Sequence, residues 1–117
     1  MSDFTCHFYV HFTGYMKKRV TEIERYVIDA VRKRRLEIGV SQKELSMRIN
    51  VDVAYVGHVE SMNSIEKYNL NQLNEIAKAL ECRITDFFPD PFVDMDCIEE
   101  YNRLHPNKHR NTTRRKL

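Results

Sequence analysis

Glycine is scarce in this chain. The 117 residues hold three, Gly14, Gly39 and Gly57, too few and too scattered for a loop that cradles phosphates. Cysteine is equally sparse. Cys6, Cys82 and Cys97 are odd in number and far apart, which argues against a disulfide framework and a zinc pattern and points to a reducing cytoplasm. No apolar run approaches the roughly 18 residues of a membrane-spanning helix. The first sixteen residues lack the basic start of a signal peptide, and histidines interrupt their apolar stretch. Cys6, His7 and His11 have poor metal-ligand spacing, and the acidic residues around Asp94 read as a solvated face. No nucleophile–base arrangement or carboxylate pair stands out, so neither an enzyme nor a bound cofactor or metal is expected.

The charge that is present is unevenly placed. The net value is +2, and 42% of residues are hydrophobic, which fits one domain. Residues 1–16 carry −1, 17–35 carry +5, 36–104 carry −7 and 105–117 carry +5. Two basic ends flank an acidic middle.

Inside that acidic middle, residues 41–60 read as two short helices joined by a tight turn. Ser41 is expected to cap the first, with Glu44 completing a capping box. Leu45 and Ile49 share a face four residues apart. Asn50 falls at the turn, where its tolerance of positive φ replaces a glycine. Asp52 is expected to cap the second helix, whose apolar face is Val56 and Val59. Such a pair needs helices on both sides to bury anything. Held at a fixed angle, it is a device for placing a helix in the DNA major groove.

The flanking elements follow from similar signals. A first helix is expected over Thr21–Ile38, with Thr21 and Glu24 as a capping box, a stripe of Ile23, Val27, Val31 and Ile38 beside Tyr26 and Ala30, and Gly39 at the end. Residues 61–68 lack periodicity and read as a loop. Asn69, with Gln72 in the box position, caps a helix presenting Leu70, Leu73, Ile76, Ala77 and Leu80. Thr85 is expected to cap a short fifth helix anchored by Phe87 and Phe88 and stopped by Pro89 and Pro91. Asp96 caps a last helix, Cys97–Leu104. In residues 1–16, Phe8, Val10 and Phe12 alternate with His7, Tyr9 and His11 at the period of a strand. A partnered strand, a mobile segment and an extension upstream of a start at Met16 all fit. The basic tail after Pro106 has the composition of a disordered segment. The expected organisation is an N-terminal extension over 1–19, a helical domain over 20–90 and a C-terminal extension over 91–117.

Arg35, Gly39, Ser41, Gln42, Glu44, Leu45, Val56, Val59 and Glu60, with Leu73, Ala77 and Leu80 followed by Ile84-Thr85-Asp86-Phe87-Phe88, resemble the helix-turn-helix domain of the Xre and lambda-type phage repressors over Val27–Phe88. The resemblance implies an all-α fold, a five-helix lambda-repressor-like domain here followed by a basic C-terminal tail. It implies that Gln42 grips a phosphate, that Val53, Ala54 and His58 meet base edges, and that Arg35 and Glu60 form a structural ion pair. Two opposite charges at otherwise apolar helix ends need each other on physical grounds as well. The candidate DNA-binding set is Ser41, Gln42, Lys43, Asp52, Val53, Ala54, Tyr55 and His58. Tyr55 fits a phosphate contact, a subunit contact or a plain surface position.

The chain departs from the family pattern at several places. Asn50 and Met62 stand where glycines are usual. Gly57 lies inside the third helix and weakens it by about 1 kcal/mol relative to alanine. Asp52 puts negative charge where a phosphate would approach, and Val53 and Ala54 offer thymine methyl contacts rather than paired hydrogen bonds. The expected function is a cytoplasmic, sequence-specific transcriptional regulator that binds operator DNA as a homodimer through helix three. Dimer contacts are expected at Phe87, Phe88, Phe92 and the segment after Pro91. Lys17, Lys18, Arg19 and the tail cations are expected to supply salt-dependent affinity. The alternative is a protein-interaction module, such as an antitoxin or phage-type accessory protein, that keeps the fold without reading bases.

Overall fold

The computed structural model describes residues 19–106. Among them are five α-helices: α1 (Glu22–Glu37), α2 (Gln42–Arg48), α3 (Tyr55–Glu60), α4 (Leu70–Ala79) and α5 (Cys97–Leu104). A 3-10 helix, Ile84–Phe87, stands between α4 and α5, and no strand occurs among the described residues. The alternating segment of residues 1–16, Lys17, Lys18 and the tail cations from Lys108 onward lie outside the described residues. No helix that is described is long and apolar enough to cross a membrane.

Helix α1 begins where its sequence says it should. The Thr21 N–H donates to Glu24 Oε1 at 2.9 Å, and Glu24 N–H returns to Thr21 Oγ1 at 3.4 Å. It ends at Gly39, whose φ of 74° lets Val40 N–H reach back to the Arg35 carbonyl at 3.0 Å. The buried stripe is Val27, Ile28, Val31 and Arg35. Ile28 therefore joins the expected stripe, while Tyr26 turns to solvent at 45% exposure. Because the stripe runs straight into Arg35, the helix delivers a cation to the interior.

Around that stripe, Leu45 of α2, Val56 and Val59 of α3, Ile76 of α4 and Phe87 of the 3-10 helix close one core. Helix α2 packs on α3 and α4, while α1 packs on α3 and the 3-10 helix. Helix α4 has its complete capping box, Gln72 N–H to Asn69 Oδ1 at 2.7 Å and Asn69 N–H to Gln72 Oε1 at 2.9 Å. Its far end is unexpected. Glu81 adopts a φ of 55° with no glycine or asparagine to ease it. Arg34 donates to the Leu80 and Glu81 carbonyls at 2.9 and 3.0 Å, and Arg48 donates to the Ala79 carbonyl at 3.0 Å. Backbone amides take the Ile76, Ala77 and Lys78 carbonyls, and the two guanidinium groups take the Ala79, Leu80 and Glu81 carbonyls that follow.

Three expected caps take another form. Ser41 Oγ accepts from Glu44 N–H at 3.0 Å, but the Glu44 carboxylate turns to Arg48 at 2.6 Å, so that box is half made. Asp52 does not cap α3. Its Oδ2 accepts from Ala54 N–H at 3.0 Å, a local turn that defers the helix start to Tyr55. Thr85 lies within the 3-10 helix, which instead opens with Arg83 N–H on Asp86 Oδ2 at 3.0 Å. Phe87 is a core residue at 1% exposure, which removes it from any docking surface.

The described part of the C-terminal segment returns to the start of the domain. Asp96 Oδ1 caps α5 through Glu99 N–H at 3.0 Å. Glu100, 4% exposed, accepts from Glu22 N–H at 2.9 Å and so caps α1 from another element. Lys67 bonds Glu24 at 2.8 Å and sits 5.1 Å from the centre of the Tyr101 ring. Burial alone would raise the Glu24 carboxyl, but Lys67 and the Thr21 groups outweigh it and hold the carboxyl below its usual value.

Tyr68 carries a polar group into this core. Its hydroxyl is buried without a hydrogen-bond partner among the described residues, and burial drives its ionisation well above the usual range. A buried unpaired hydroxyl costs about 1–3 kcal/mol. Tyr68→Phe is therefore expected to raise stability by about 1 kcal/mol. Urea unfolding checks this, and a loss of stability would show that the hydroxyl is satisfied.

Candidate nucleic-acid interface

The α2–turn–α3 unit is built from contacts that fix one helix on the other. Asn50, at a φ of 61°, makes the turn and donates to the Met47 carbonyl at 3.1 Å. Ser46 is fully buried between the two helices. Its hydroxyl donates to the Gln42 carbonyl at 3.0 Å and accepts from Val56 N–H at 3.1 Å. That amide is one of the orphan donors in the first turn of α3. Ser46 therefore does for α3 what Asp52 was expected to do. The available signal was a small polar residue on an otherwise apolar face, beside Leu45.

A buried carboxylate sets the outer end of the unit. Glu60 closes α3, and its side chain is 3% exposed. Arg35 grips it in a fork, Nε to Oε2 at 2.9 Å and Nη2 to Oε1 at 2.8 Å. The remaining guanidinium nitrogen, Nη1, donates to the Val40 carbonyl at 2.8 Å. Gln42 Nε2 also donates to Glu60 Oε1, at 2.9 Å, and Arg32 Nε stands 3.7 Å from the same oxygen. One carboxylate thus joins α1, the α1–α2 link, the start of α2 and the end of α3.

Gly57 belongs to this arrangement. A Cβ there would lie 3.2 Å from Gln42 Oε1, so the missing side chain leaves room for the Gln42 carboxamide to lie across α3. The helix-weakening glycine has a local geometric use.

Of the candidate set, Ser41, Gln42, Lys43, Asp52, Val53, Ala54 and His58 are exposed, on α2, the turn and α3. Tyr55 is placed differently. Its half-buried ring meets Tyr68 edge-on with centroids 6.2 Å apart, and its hydroxyl donates to the Lys67 carbonyl at 2.9 Å with Gln72 Oε1 at 3.2 Å. Burial, with a smaller push from the Glu66 charge, raises its ionisation above the ordinary value against the Gln72 hydrogen bond. Tyr55 thereby ties α3 to the loop over 61–69. That loop is organised by its own serines, Ser61 Oγ on Asn63 N–H at 3.3 Å and Ser64 Oγ on Glu66 N–H at 2.9 Å.

Among the described residues no group of His, Cys, Asp and Glu is arranged to hold a metal ion. The surface formed by α2 and α3 is a solvent-facing ledge held from behind by Ser46 and Glu60.

A helix-turn-helix family model matches residues 31–87. No curated protein matches the chain. Among solved structures, the chain is similar to a hypothetical transcription factor from Neisseria, at a TM-score of 0.50 and 24% identity over 56% of this chain and 74% of that one. It is similar to a mutant restriction-modification controller protein at a TM-score of 0.51 and 25% identity, over 58% of this chain and 84% of that one. It also shares its fold with the clp gene regulator ClgR from Corynebacterium glutamicum, at a TM-score of 0.50 and 19% identity over 81% of this chain and 89% of that one.

Removing one member of a buried pair leaves the other charge uncompensated, at a cost of about 3–5 kcal/mol. Arg32 and Gln42 stay beside Glu60, so Arg35→Ala is expected to cost about 3 kcal/mol in urea unfolding. A cost below about 1 kcal/mol, the range of exposed pairs, would show that the pair is not buried in solution.

Proposed function

Because residues 31–87 form a helix-turn-helix domain of the Xre and lambda-repressor family, we propose that the protein is a DNA-binding transcriptional regulator that reads operator DNA through α3 as a homodimer. The observation that carries this is the fixed α3. Its angle is set by Ser46 at one end and the Arg35–Glu60 fork at the other. Val53 and Ala54, just ahead of α3, and His58 on it remain exposed. The likeness to a transcription factor fold and to a restriction-modification controller supports the same reading.

In this reading His58 donates to a base edge, and Val53 and Ala54 contact thymine methyl groups. Gln42 and Lys43 hold phosphates and set the register. Ser41 and Asp52 shape the approach, Asp52 with its carboxylate turned to the Ala54 amide. Tyr55 contributes by holding the loop at 61–69 in place.

One recognition helix reads few base pairs. Two related by a twofold axis would read half-sites about one helical turn apart. The dimer surface we favour is the segment around Phe92, Met95 and Ile98, exposed at 67%, 44% and 76%. It borders an apolar groove of about 380 Å³ lined by Ile23, Phe88, Pro91 and Phe92.

Selection of bound sequences from random duplexes at about 0.1 M salt tests the proposal, because phosphate contacts alone weaken steeply as salt rises. The expected result is a palindromic motif, lost when Gln42 and His58 are both replaced by alanine. No enriched motif, from a full-length protein that sediments as a monomer, would overturn it and favour a protein partner instead.

A further inference from the structure

Arg32 is an exposed cation that makes no hydrogen bond among the described residues. It lies one turn before Arg35 on α1, and its side chain is 57% exposed. Among the described residues, Glu60 is the one carboxylate within ion-pair distance of it, at 3.7 Å, too long for a hydrogen bond. The Glu60 oxygen it faces is already occupied by Arg35 Nη2 at 2.8 Å and Gln42 Nε2 at 2.9 Å, enough for its two lone pairs. Other arginines of α1 are committed elsewhere: Arg25 to Asp29, Arg34 to Glu37 and the end of α4, and Arg35 to the fork.

The placement matters as much as the spare donors. Arg32 Nε and Gln42 Nε2 are 3.7 and 2.9 Å from one oxygen atom, so they lie within 6.6 Å of each other. Donors this close can serve the two free oxygens of a single phosphate, since each hydrogen bond spans about 2.9 Å. Two carboxylates, Asp29 and Glu60, face three guanidinium groups, those of Arg25, Arg32 and Arg35, so a net positive charge remains beside Gln42. A guanidinium is suited to this task because its planar fork matches phosphate geometry.

We propose that Arg32, with Gln42, forms a phosphate subsite for the DNA backbone, mounted on Glu60. The proposal rests on the DNA-binding reading above. Arg32 supplies the charge and Gln42 supplies an oriented neutral donor. Glu60 is the positioning residue: it accepts a hydrogen bond from Gln42 and attracts Arg32 through charge alone.

The two members predict different signatures in the full-length protein binding a random-sequence duplex across a salt series. Neutralising one phosphate contributes about 0.9 to the slope of log affinity against log salt. Arg32→Ala is expected to flatten that slope by about 1 and to weaken random and selected duplexes by the same factor, at an unchanged melting temperature. Arg32→Lys should restore the slope. Gln42→Ala should weaken binding without changing the slope. If the parent binds duplex DNA and Arg32→Ala keeps both its affinity and its slope, the subsite is overturned while the DNA-binding reading survives. If the parent binds no duplex even at low salt, the DNA-binding reading fails and the subsite fails with it.

Discussion

The Glu60 carboxylate, taken out of water at the end of α3, is the constraint on which the rest of the ledge depends. A buried carboxylate is costly unless its charge is paired and its lone pairs are filled. Arg35 does the first with a two-nitrogen fork, and Gln42 adds a further donor. The chain must then bring the end of α1, the start of α2 and the end of α3 to one point. The spacing between α2 and α3, the space left at Gly57 and the exposed position of Arg32 all follow from that convergence.

Such a cluster is weak evidence for stability, because apolar replacements of a buried pair are often as stable or more so. Its value here is directional. A two-nitrogen fork constrains how α1 and α3 approach more narrowly than an apolar contact does. Ser46 applies the same logic at the other end, by bonding Val56 N–H from within α2. Helix α3 is only six residues long and contains a glycine, so its orientation is supplied by its neighbours rather than by its own propensity.

How much of this was readable beforehand depended on how local each interaction is. The boxes at Thr21 and Asn69 and the cap at Asp96 join residues three apart, so the sequence displays both partners. Asp52 misled because one carboxylate serves either a cap or a two-residue turn, and nothing nearby decides between them. Ser46 escaped notice because its second partner, Val56, is ten residues away. Tyr55 faces inward because the loop over 61–69 comes back to meet it, which no periodicity reveals. Glu81 breaks the rule for positive φ, and its support arrives from Arg34 and Arg48 on other helices. Arg35 and Glu60 were visible as a pair, but the Gln42 bond to the same oxygen and the approach of Arg32 to it belong to the fold alone.

The most direct measurement replaces the pair outright, with Arg35→Met and Glu60→Leu in one chain, and compares unfolding with duplex affinity. The Val40 carbonyl loses its donor, a cost of about 1–3 kcal/mol that the apolar contact partly offsets. If the cluster serves position, the double variant folds cooperatively, yet it binds duplex DNA at least about tenfold more weakly, a loss of about 1.4 kcal/mol. A folded double variant with the affinity of the parent would contradict the account, because the ledge would then bind without the carboxylate that arranges it.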